Sequence, residues 1–274
     1  MDFTIKYQIN QRLLTKPSRR RSGLPMSPGV QFLVAHDTGN PGSTASGNVN
    51  YYENSRNEMS ASAHIFVDDR EIIECIPALE TSQPEKAWHV LYYLPTDDQL
   101  FGYNANDAAI GVEYCYGGRI DENEAYRKYV WVLAYACYKN DLNPQRCIVG
   151  HFFLDPHRKT DPLTGLAYSR RSYDQLLRDV VSEYEICTGA STDTPTPEPP
   201  SPEESGTVTT TVRLNIRVGA PNTRAPIYQT VQRGTTLTYT DVIEDGEPVN
   251  GNSIWYADDA GNFFWSGGVT PYTI

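Results

Sequence analysis

Two histidines and one aspartate are spaced so that they could share a metal ion. His36 ends the apolar run VQFLVAH, His151 lies near the end of the run CIVGHF, and Asp161 follows ten residues after His151. Zinc binds imidazole nitrogen and carboxylate oxygen readily, and a catalytic zinc site uses three protein ligands and leaves a fourth position open for water. A single histidine at a strand end is more often an ordinary hydrogen-bonded residue, so the spacing alone leaves a zinc site and a structural role both open.

Apolar runs rich in β-branched and aromatic residues predict the strands that would carry these side chains. The predicted strands are VQFLVAH (30–36), SAHIFVDD (62–69), EIIECIP (71–77), AIGVEYCY (109–116) and CIVGHF (147–152). Helices are predicted at 44–56, at 122–142 with the apolar spacing of a packed helix, and after a capping box formed by Ser172 and Gln175. The alternation predicts an α/β fold with a mixed central β-sheet flanked by helices.

A segment rich in proline, threonine and serine divides the chain. Residues 188–206 hold almost no large apolar side chain and carry several carboxylates, so they cannot bury a core and predict an extended acidic linker. Residues 1–187 form the larger domain, which contains the candidate metal ligands. Residues 207–274 consist of short β-rich pieces separated by Gly, Pro, Asn and Asp, which predicts a small all-β barrel or sandwich.

The acidic composition limits the partners that the chain can bind. The formal net charge is −11, whereas nucleic-acid backbones are bound by clustered Lys and Arg. We therefore predict no nucleic-acid partner, and we interpret the exceptional run Arg19–Arg21 as a solvated N-terminal loop. No apolar stretch is long enough to span a bilayer, so no membrane span is predicted.

The cysteines give no sign of a disulfide framework or of a metal-binding thiol pair. There are 5 of them, and none is spaced C-x-x-C. We expect mainly buried free thiols, most clearly at Cys115 and Cys137, although one pair could still be bridged.

Six segments resemble the type-2 N-acetylmuramoyl-L-alanine amidases, a family that includes phage endolysins and bacterial cell-wall recycling amidases. They are RSGLPMSP (21–28), AHDTGNPG (35–42), SAHIFVDD (62–69), AWH (87–89), AIGVEYC (109–115) and GHFFLDPHRKTDP (150–162). The resemblance implies that His36, His151 and Asp161 hold zinc. It also implies that residues 1–187 hydrolyse the amide bond between N-acetylmuramic acid and L-alanine of the peptidoglycan stem peptide.

The resemblance further implies two catalytic partners, Glu113 and Lys159. Glu113 would act as the general base that takes a proton from zinc-activated water. Lys159 would stabilise the oxyanion of the tetrahedral intermediate. Without the resemblance, Glu113 could be a surface strand carboxylate, which its neighbours Val112 and Cys115 disfavour, and Lys159 would be interpreted as a solvated loop lysine.

Three residues are assigned to substrate binding by the resemblance: His64, Trp88 and His89. The Trp-His pair lines the peptide groove in the family, whereas His64 alternates with apolar residues and is nearly as well explained as a core histidine. The usual Ala-Gly after the pair is Val90–Leu91 here, followed by the insertion-like YYLPTDDQLFGYN, which leaves the stem-peptide preference open. We interpret His157 as a solvent-facing loop residue and as the alternative ligand should the aspartate not bind.

The tail, residues 207–274, resembles bacterial SH3-like domains. The likeness is carried by LNIRVGAP (214–221), RGTTL (233–237) and IWYADDAGNFFWSGGV (254–269). In lytic enzymes such domains usually bind the cell wall, so the resemblance implies a wall-binding domain. Its aromatic residues could stack on sugars or peptides, but for Trp255 and Phe264 a place in the core of the domain is favoured.

The sequence thus predicts a monomeric zinc amidase whose partner is bacterial peptidoglycan. A non-catalytic peptidoglycan-recognition protein of the same fold is the alternative, and the presence of all three candidate ligands argues against it. The N-terminus MDFTIKYQINQRLL lacks the basic and apolar regions of a Sec signal peptide. We therefore expect release to the cell wall through a holin or export by a dedicated route, and otherwise a cytoplasmic location.

Overall fold

The computed structural model describes residues 2–81, 83–189, 206–250 and 252–271. Its contacts divide the chain into two units, Met1–Ala190 and Ser191–Ile274. The predicted linker, residues 188–206, lies outside the described residues except at its two ends.

Short strands and helices alternate along the described part of the first unit. The strands are β1 (Ile9–Gln11), β2 (Phe32–Asp37), β3 (Ile65–Val67), β4 (Ile72–Glu74), β5 (Ala109–Tyr114) and β6 (Ile148–Gly150). The helices are α1 (Ala45–Asn54), α2 (Thr96–Phe101), α3 (Ala105–Ala108), α4 (Glu122–Lys139), α5 (His151–Leu154), α6 (Leu163–Tyr168) and α7 (Tyr173–Thr188).

The six strands form one mixed sheet in the order β1-β4-β3-β5-β2-β6. β3 and β4 pair antiparallel, and the other neighbouring strands pair parallel. Every residue of β2 is buried, and because alternate side chains of a strand point to opposite faces, both faces of the sheet are covered here. The predicted α/β fold with a mixed central sheet flanked by helices is confirmed.

The three long helices begin where the sequence offers a side chain that caps them. Thr44, Asp121 and Ser172 each accept hydrogen bonds from main-chain N–H groups of the first turn. Such caps satisfy donors that have no partner within the helix. The predicted contact from Gln175 to Ser172 is present through the main-chain nitrogen, at 3.1 Å. Within the described residues, no helix is both long and apolar enough to cross a membrane.

Two local features differ from the sequence prediction. The strand predicted at 147–152 ends at Gly150, and His151 is the first residue of α5. The segment between Val90 and Ala108 contains the helices α2 and α3, which the sequence did not predict. They span 6 and 4 residues, which is too short for a helical period to be recognised.

The interpretation of Arg19–Arg21 as a solvated loop is wrong for two of its three residues. Arg20 and Arg21 are only 1% and 6% exposed. The Arg20 guanidinium lies 4.2 Å from the ring centroid of Tyr52 and donates to the Ser55 hydroxyl. The run therefore fastens the N-terminal segment to α1 instead of facing solvent.

Arg21 and Glu85 form a buried ion pair in which three nitrogens of the Arg21 guanidinium donate hydrogen bonds. Its Nε and Nη2 donate to the two carboxylate oxygens of Glu85 at 2.7 and 2.8 Å, and its Nη1 donates to the Leu14 carbonyl. Burial alone would raise the pKa of Glu85, but the bonds from Arg21 and Lys16 outweigh it and lower that pKa. Two distant segments of the chain are joined by this pair.

All five cysteines are buried and free. The Sγ atoms of Cys137 and Cys147 lie 3.4 Å apart, well beyond the roughly 2.05 Å of a disulfide bond. The expectation of buried free thiols agrees with this arrangement.

The second unit is built from antiparallel strands. They are β7 (Gly206–Thr210), β8 (Leu214–Val218), β9 (Ile227–Val231), β10 (Thr236–Tyr239), β11 (Asp241–Ile243), β12 (Trp255–Ala257), β13 (Asn262–Trp265) and β14 (Val269–Pro271). They form the sheets β10-β7-β14 and β11-β12-β13-β8-β9. Trp255 and Phe264 are 2% and 1% exposed, so both lie in the core, as favoured from the sequence. The all-β architecture is confirmed, while the SH3-like assignment stays a prediction.

Arg21→Met should destabilise the protein by about 3 kcal/mol, because the buried Glu85 carboxylate loses its bidentate partner and keeps only the exposed Lys16. Because the pKa of Glu85 is lowered in the folded state, the stabilisation is present above the unfolded carboxylate pKa of about 4.3 and is lost as the pH falls below it. Urea unfolding at pH 7 and pH 3 measures both effects.

The exposed pair of Arg127 with Glu124 provides the control. Arg127→Met should cost less than about 1 kcal/mol at either pH. Equal losses for the two variants at pH 7 would show that burial of the Arg21 pair contributes nothing.

Candidate active site

A cavity of about 480 Å³ opens beside the carboxyl ends of β2 and β5. It gathers most of the residues that the sequence singled out: His36, Trp88, His89, Glu113, His151, Lys159 and Asp161. His64 is not among the residues that line it.

The register of three parallel strands aligns the chemistry-bearing side chains. His36 on β2 pairs with Glu113 on β5, and Ala35 pairs with Gly150 on β6, so that His151 follows beside His36. Side chains in register on neighbouring strands point to the same face of a sheet. Glu113, His36 and His151 therefore form a row at one edge of the sheet.

Asp161 completes this row from the loop that follows α5. Its Oδ2 lies 2.8 Å from Nδ1 of His36 and 3.0 Å from Nδ1 of His151. The ligand atoms of the three residues all lie within 4.8 Å of one another, and all three side chains are buried. These three residues are close enough together to hold a metal ion.

The hydrogen bonds of His89 determine where His36 carries its proton. Nε2 of His89 lies 3.2 Å from the carbonyl oxygens of Ala105 and Ala109, which can only accept, so this nitrogen is the donor. Burial, the largest effect, and the neighbouring histidines hold the pKa of His89 well below its usual range. Its Nδ1 is then unprotonated and accepts from Nε2–H of His36 at 3.0 Å.

His36 consequently points a lone pair at a carboxylate. The contact with His89 places a proton on Nε2 of His36; burial lowers the pKa of His36 to about 4, which favours the neutral ring and leaves Nδ1 as an acceptor. Nδ1 faces Oδ2 of Asp161, which also accepts. Two acceptors in a buried contact are mutually repulsive unless a cation lies with them. The donor set of His36, His151 and Asp161 therefore fits a metal ion.

Glu113 is partly buried, and one of its oxygens lacks a partner. Its Oε2 is buried with no hydrogen-bond donor among the described residues. Burial first, and then the nearby carboxylates of Asp161 and Asp37, raise its pKa well above the usual range, although Lys159 partly opposes this. A carboxyl group with a raised pKa holds a proton more tightly than a free carboxyl group, which suits a group that accepts and returns one.

Lys159 and Trp88 line the cavity from two different segments of the chain. Both are half-buried and line the cavity, Lys159 from the loop before Asp161 and Trp88 from the segment after β4. The Trp88 main-chain nitrogen donates to the Ser62 hydroxyl at 3.0 Å, which holds this segment against the neighbouring wall of the cavity.

His64 and His157 lie apart from the cavity. His64 is 0% exposed, its Nε2 donates to the Glu85 carbonyl, and its Nδ1 accepts from the Gly111 N–H, each at 3.0 Å. Both ring nitrogens are occupied, which favours the core-histidine alternative over contact with substrate. His157 is exposed in its loop and does not belong to the cluster that could hold a metal.

Sequence reasoning did not single out Asp37 and Tyr52, which also line the cavity. The Asp37 carboxylate accepts from the N–H groups of Gly39 and Gly165 at 2.9 and 2.7 Å, and it thereby joins the end of β2 to α6. The position of Asp37 directly after His36 is the sequence feature that could have pointed to it. Tyr52 offered none, because α1 is far from the other site residues along the chain.

The chain belongs to the N-acetylmuramoyl-L-alanine amidase family, because residues 25–164 match that family's description. It is 33% identical over 164 residues to the N-acetylmuramoyl-L-alanine amidase BlyA of Bacillus subtilis (strain 168), covering 56% of this chain and 42% of the relative. It is 32% identical over 139 residues to a probable amidase of Bacillus licheniformis, covering 48% and 36%. The chain thus spans less than half the length of these relatives.

Solved structures share the fold of the first unit. The Staphylococcus aureus hydrolase AmiA superposes with a TM-score of 0.54 at 22% identity, over 69% of this chain and 89% of that one. The catalytic domain of XlyA superposes with a TM-score of 0.50 at 22% identity, over 63% and 99%. At this level of identity, the two structures show a common fold.

Glu113→Gln should stabilise the metal-free protein by about 1 kcal/mol at pH 7, because it removes a buried carboxylate that has no partner. Since the folded state raises the pKa of Glu113, the wild type loses stability as the pH rises above the unfolded value of about 4.3. The gain should therefore disappear at pH 4. Urea unfolding in the presence of a chelator measures it.

Glu58, which is exposed, is the matched position for comparison. Glu58→Gln should change the stability by less than about 0.5 kcal/mol at either pH. A Glu113→Gln protein that is less stable than the wild type at pH 7 would show that the carboxylate is satisfied after all.

Proposed function

We propose that the first domain, residues 1–187, is a zinc-dependent N-acetylmuramoyl-L-alanine amidase that cleaves the bond between N-acetylmuramic acid and the L-alanine of the stem peptide. The observation that carries this proposal is the row formed by Glu113, His36 and His151 with Asp161 on one cavity. Membership of the amidase family supports the choice of reaction and substrate.

Zinc is the metal that suits this donor set. Two imidazoles and one carboxylate are protein ligands typical of catalytic zinc. The adjoining cavity leaves room for a water molecule in the fourth position. When bound by His36, His151 and Asp161, zinc would lower the pKa of water and polarise the amide carbonyl.

Glu113 is the proposed proton carrier. Its unpartnered Oε2 would accept a proton from the attacking water as the water oxygen bonds to the carbonyl carbon. When the C–N bond breaks, the same oxygen would return the proton to the leaving α-amino nitrogen of L-alanine. The pKa of Glu113, raised mainly by burial, suits it to this role, because a raised pKa makes the carboxylate a stronger base than a free one.

Lys159 is the proposed stabiliser of the oxyanion. Its ammonium group would donate to the carbonyl oxygen as negative charge develops there. Trp88 would contact the substrate from the opposite segment, and His89 would act from within the wall of the cavity.

The roles of the second domain and the location of the enzyme are also proposed. Residues 188–206 would act as a linker, and residues 207–274 as an SH3-like domain that holds the enzyme on the cell wall, where it would act as a monomer on peptidoglycan. Release by a holin or a dedicated export route would bring it there. A non-catalytic recognition protein would bind peptidoglycan without releasing stem peptides, so an assay of released peptide separates the two.

Glu113→Gln should reduce kcat by at least about 10²-fold while zinc stays bound, because the proton carrier is removed and the metal ligands are kept. Lys159→Met should reduce kcat by a similar factor through the loss of oxyanion stabilisation. Release of stem peptides from purified peptidoglycan, read by mass spectrometry, measures both. Wild-type kcat for Glu113→Gln would overturn the proton-carrier role.

His36→Ala should abolish stoichiometric zinc binding and activity, whereas His157→Ala should change neither. Both substitutions remove an imidazole, but only His36 belongs to the buried cluster. Metal content by mass spectrometry after dialysis, together with loss of activity on chelation and its return with ZnCl₂, tests the assignment. Loss of zinc from His157→Ala would make His157 the ligand in place of Asp161.

A further inference from the structure

His89 has every polar atom of its ring committed within the protein. Its Nε2–H is shared between the Ala105 and Ala109 carbonyls at 3.2 Å, and its Nδ1 accepts from His36 at 3.0 Å. The residue is only 8% exposed. It therefore has no free nitrogen to offer to a substrate, although it lines the cavity.

The segment after His89 fixes the ring in this orientation. The Asn106 side-chain oxygen accepts from the main-chain nitrogens of His89 and Val90 at 2.8 and 3.0 Å, and its amide nitrogen donates to the Val90 carbonyl. Asn106 belongs to α3, the short helix whose ends also supply the two carbonyls that hold Nε2–H. Helix α3, which follows the insertion, thus holds His89 in place.

Gly111 is a second, independent observation that supports this placement of the His89 ring. A Cβ atom at residue 111 would lie 2.8 Å from Nδ1 and 2.9 Å from Cγ of His89, closer than side chains approach one another. The glycine of the IGVE strand is therefore the residue that lets the imidazole lie against β5. Any larger side chain would displace the ring from His36.

We propose that His89 is a positioning residue which fixes the tautomer of His36, and this rests on the zinc site proposed above. Nδ1 of His89 accepts the Nε2–H of His36 and so keeps the lone pair on Nδ1 of His36 directed at Asp161 and the metal position. The substrate-binding role expected for His89 is replaced by a role in the metal site.

The alternative tautomer shows what this contact prevents. If His36 carried its proton on Nδ1, it would donate that proton to Oδ2 of Asp161, which lies 2.8 Å away. That hydrogen bond would engage Nδ1 of His36 and Oδ2 of Asp161, which are both metal-binding atoms of the proposed site. A metal ion would therefore have to break it. Partners that orient a metal-binding imidazole typically change metal affinity by about 10–100-fold when they are removed.

The test compares two substitutions of nearly equal size in the full-length chain. His89→Leu removes the acceptor, whereas His89→Asn keeps a carbonyl oxygen close to the position of Nδ1. With ZnCl₂ and a competing chromophoric chelator, His89→Leu should bind zinc about 10–100-fold more weakly, and His89→Asn should recover most of that loss. A purely structural role would weaken both variants alike.

A second measurement needs neither bound zinc nor activity. Long-range ¹H–¹⁵N correlation spectra of the metal-free protein report which ring nitrogen of each histidine carries the proton. His36 should be the Nε2–H form in the wild type and in His89→Asn, and should shift towards the Nδ1–H form in His89→Leu. An Nδ1–H form of His36 in the wild type would overturn the proposal, even if every variant failed to fold.

His64 provides the matched control, because it is a buried histidine that contacts the His89 ring but makes no hydrogen bond to His36. His64→Leu should lower stability and leave the His36 tautomer unchanged. Unaltered zinc affinity and an unaltered tautomer in His89→Leu would refute the positioning role. An active enzyme with that result would still leave the proposed amidase function intact.

Discussion

The parallel pairing of β2 with β5 on one side and β6 on the other is the constraint on which the site depends. A strand alternates its side chains between two faces, so a slip of one residue would turn His36 away from the cavity. Because the neighbouring strands are in fixed register, Glu113 and the start of α5 arrive at the same edge as His36. The Phe152 N–H donates to the Asp161 carbonyl at 2.9 Å, and this bond returns the loop to the row.

The same edge concentrates interactions that oppose folding. A buried carboxylate oxygen without a partner and a lone pair directed at a carboxylate both cost free energy in the metal-free protein. Proteins commonly tolerate such costs at functional sites and recover them elsewhere. Here the buried strands β2, β3 and β6 supply the compensating interactions, and their register holds the row in place.

Much of the first unit could be predicted from the sequence because its strands are apolar runs and its long helices carry caps. His36 and His151 could be found because each lies at or next to the end of such a run, whereas Glu113 lies within a run and was indicated only by the family resemblance. The burial of Arg20 and Arg21 could not be predicted, since their partners, Tyr52 and Glu85, are remote in the sequence. The hydrogen bonds of the His89 ring could not be predicted either, because Nε2 donates to main-chain carbonyl oxygens, which every residue has.

The bonds between α3 and His89 have a consequence for engineering this protein. For the proposed amidase, the segment after Trp88 is the natural place to exchange loops in order to change substrate preference. Most of residues 91–103 can be varied with this aim, but Asp97 and Asn104 hold the start of α3 by accepting from the Ala105 and Asn106 N–H groups. Asn106 and the carbonyls of Ala105 and Ala109 in turn hold His89 beside His36. A graft that shifts the end of the loop would move the hydrogen-bond partner of His36 together with the lining of the cavity. Loop libraries should therefore keep Asp97, Asn104 and residues 105–111 constant and vary the rest of the loop.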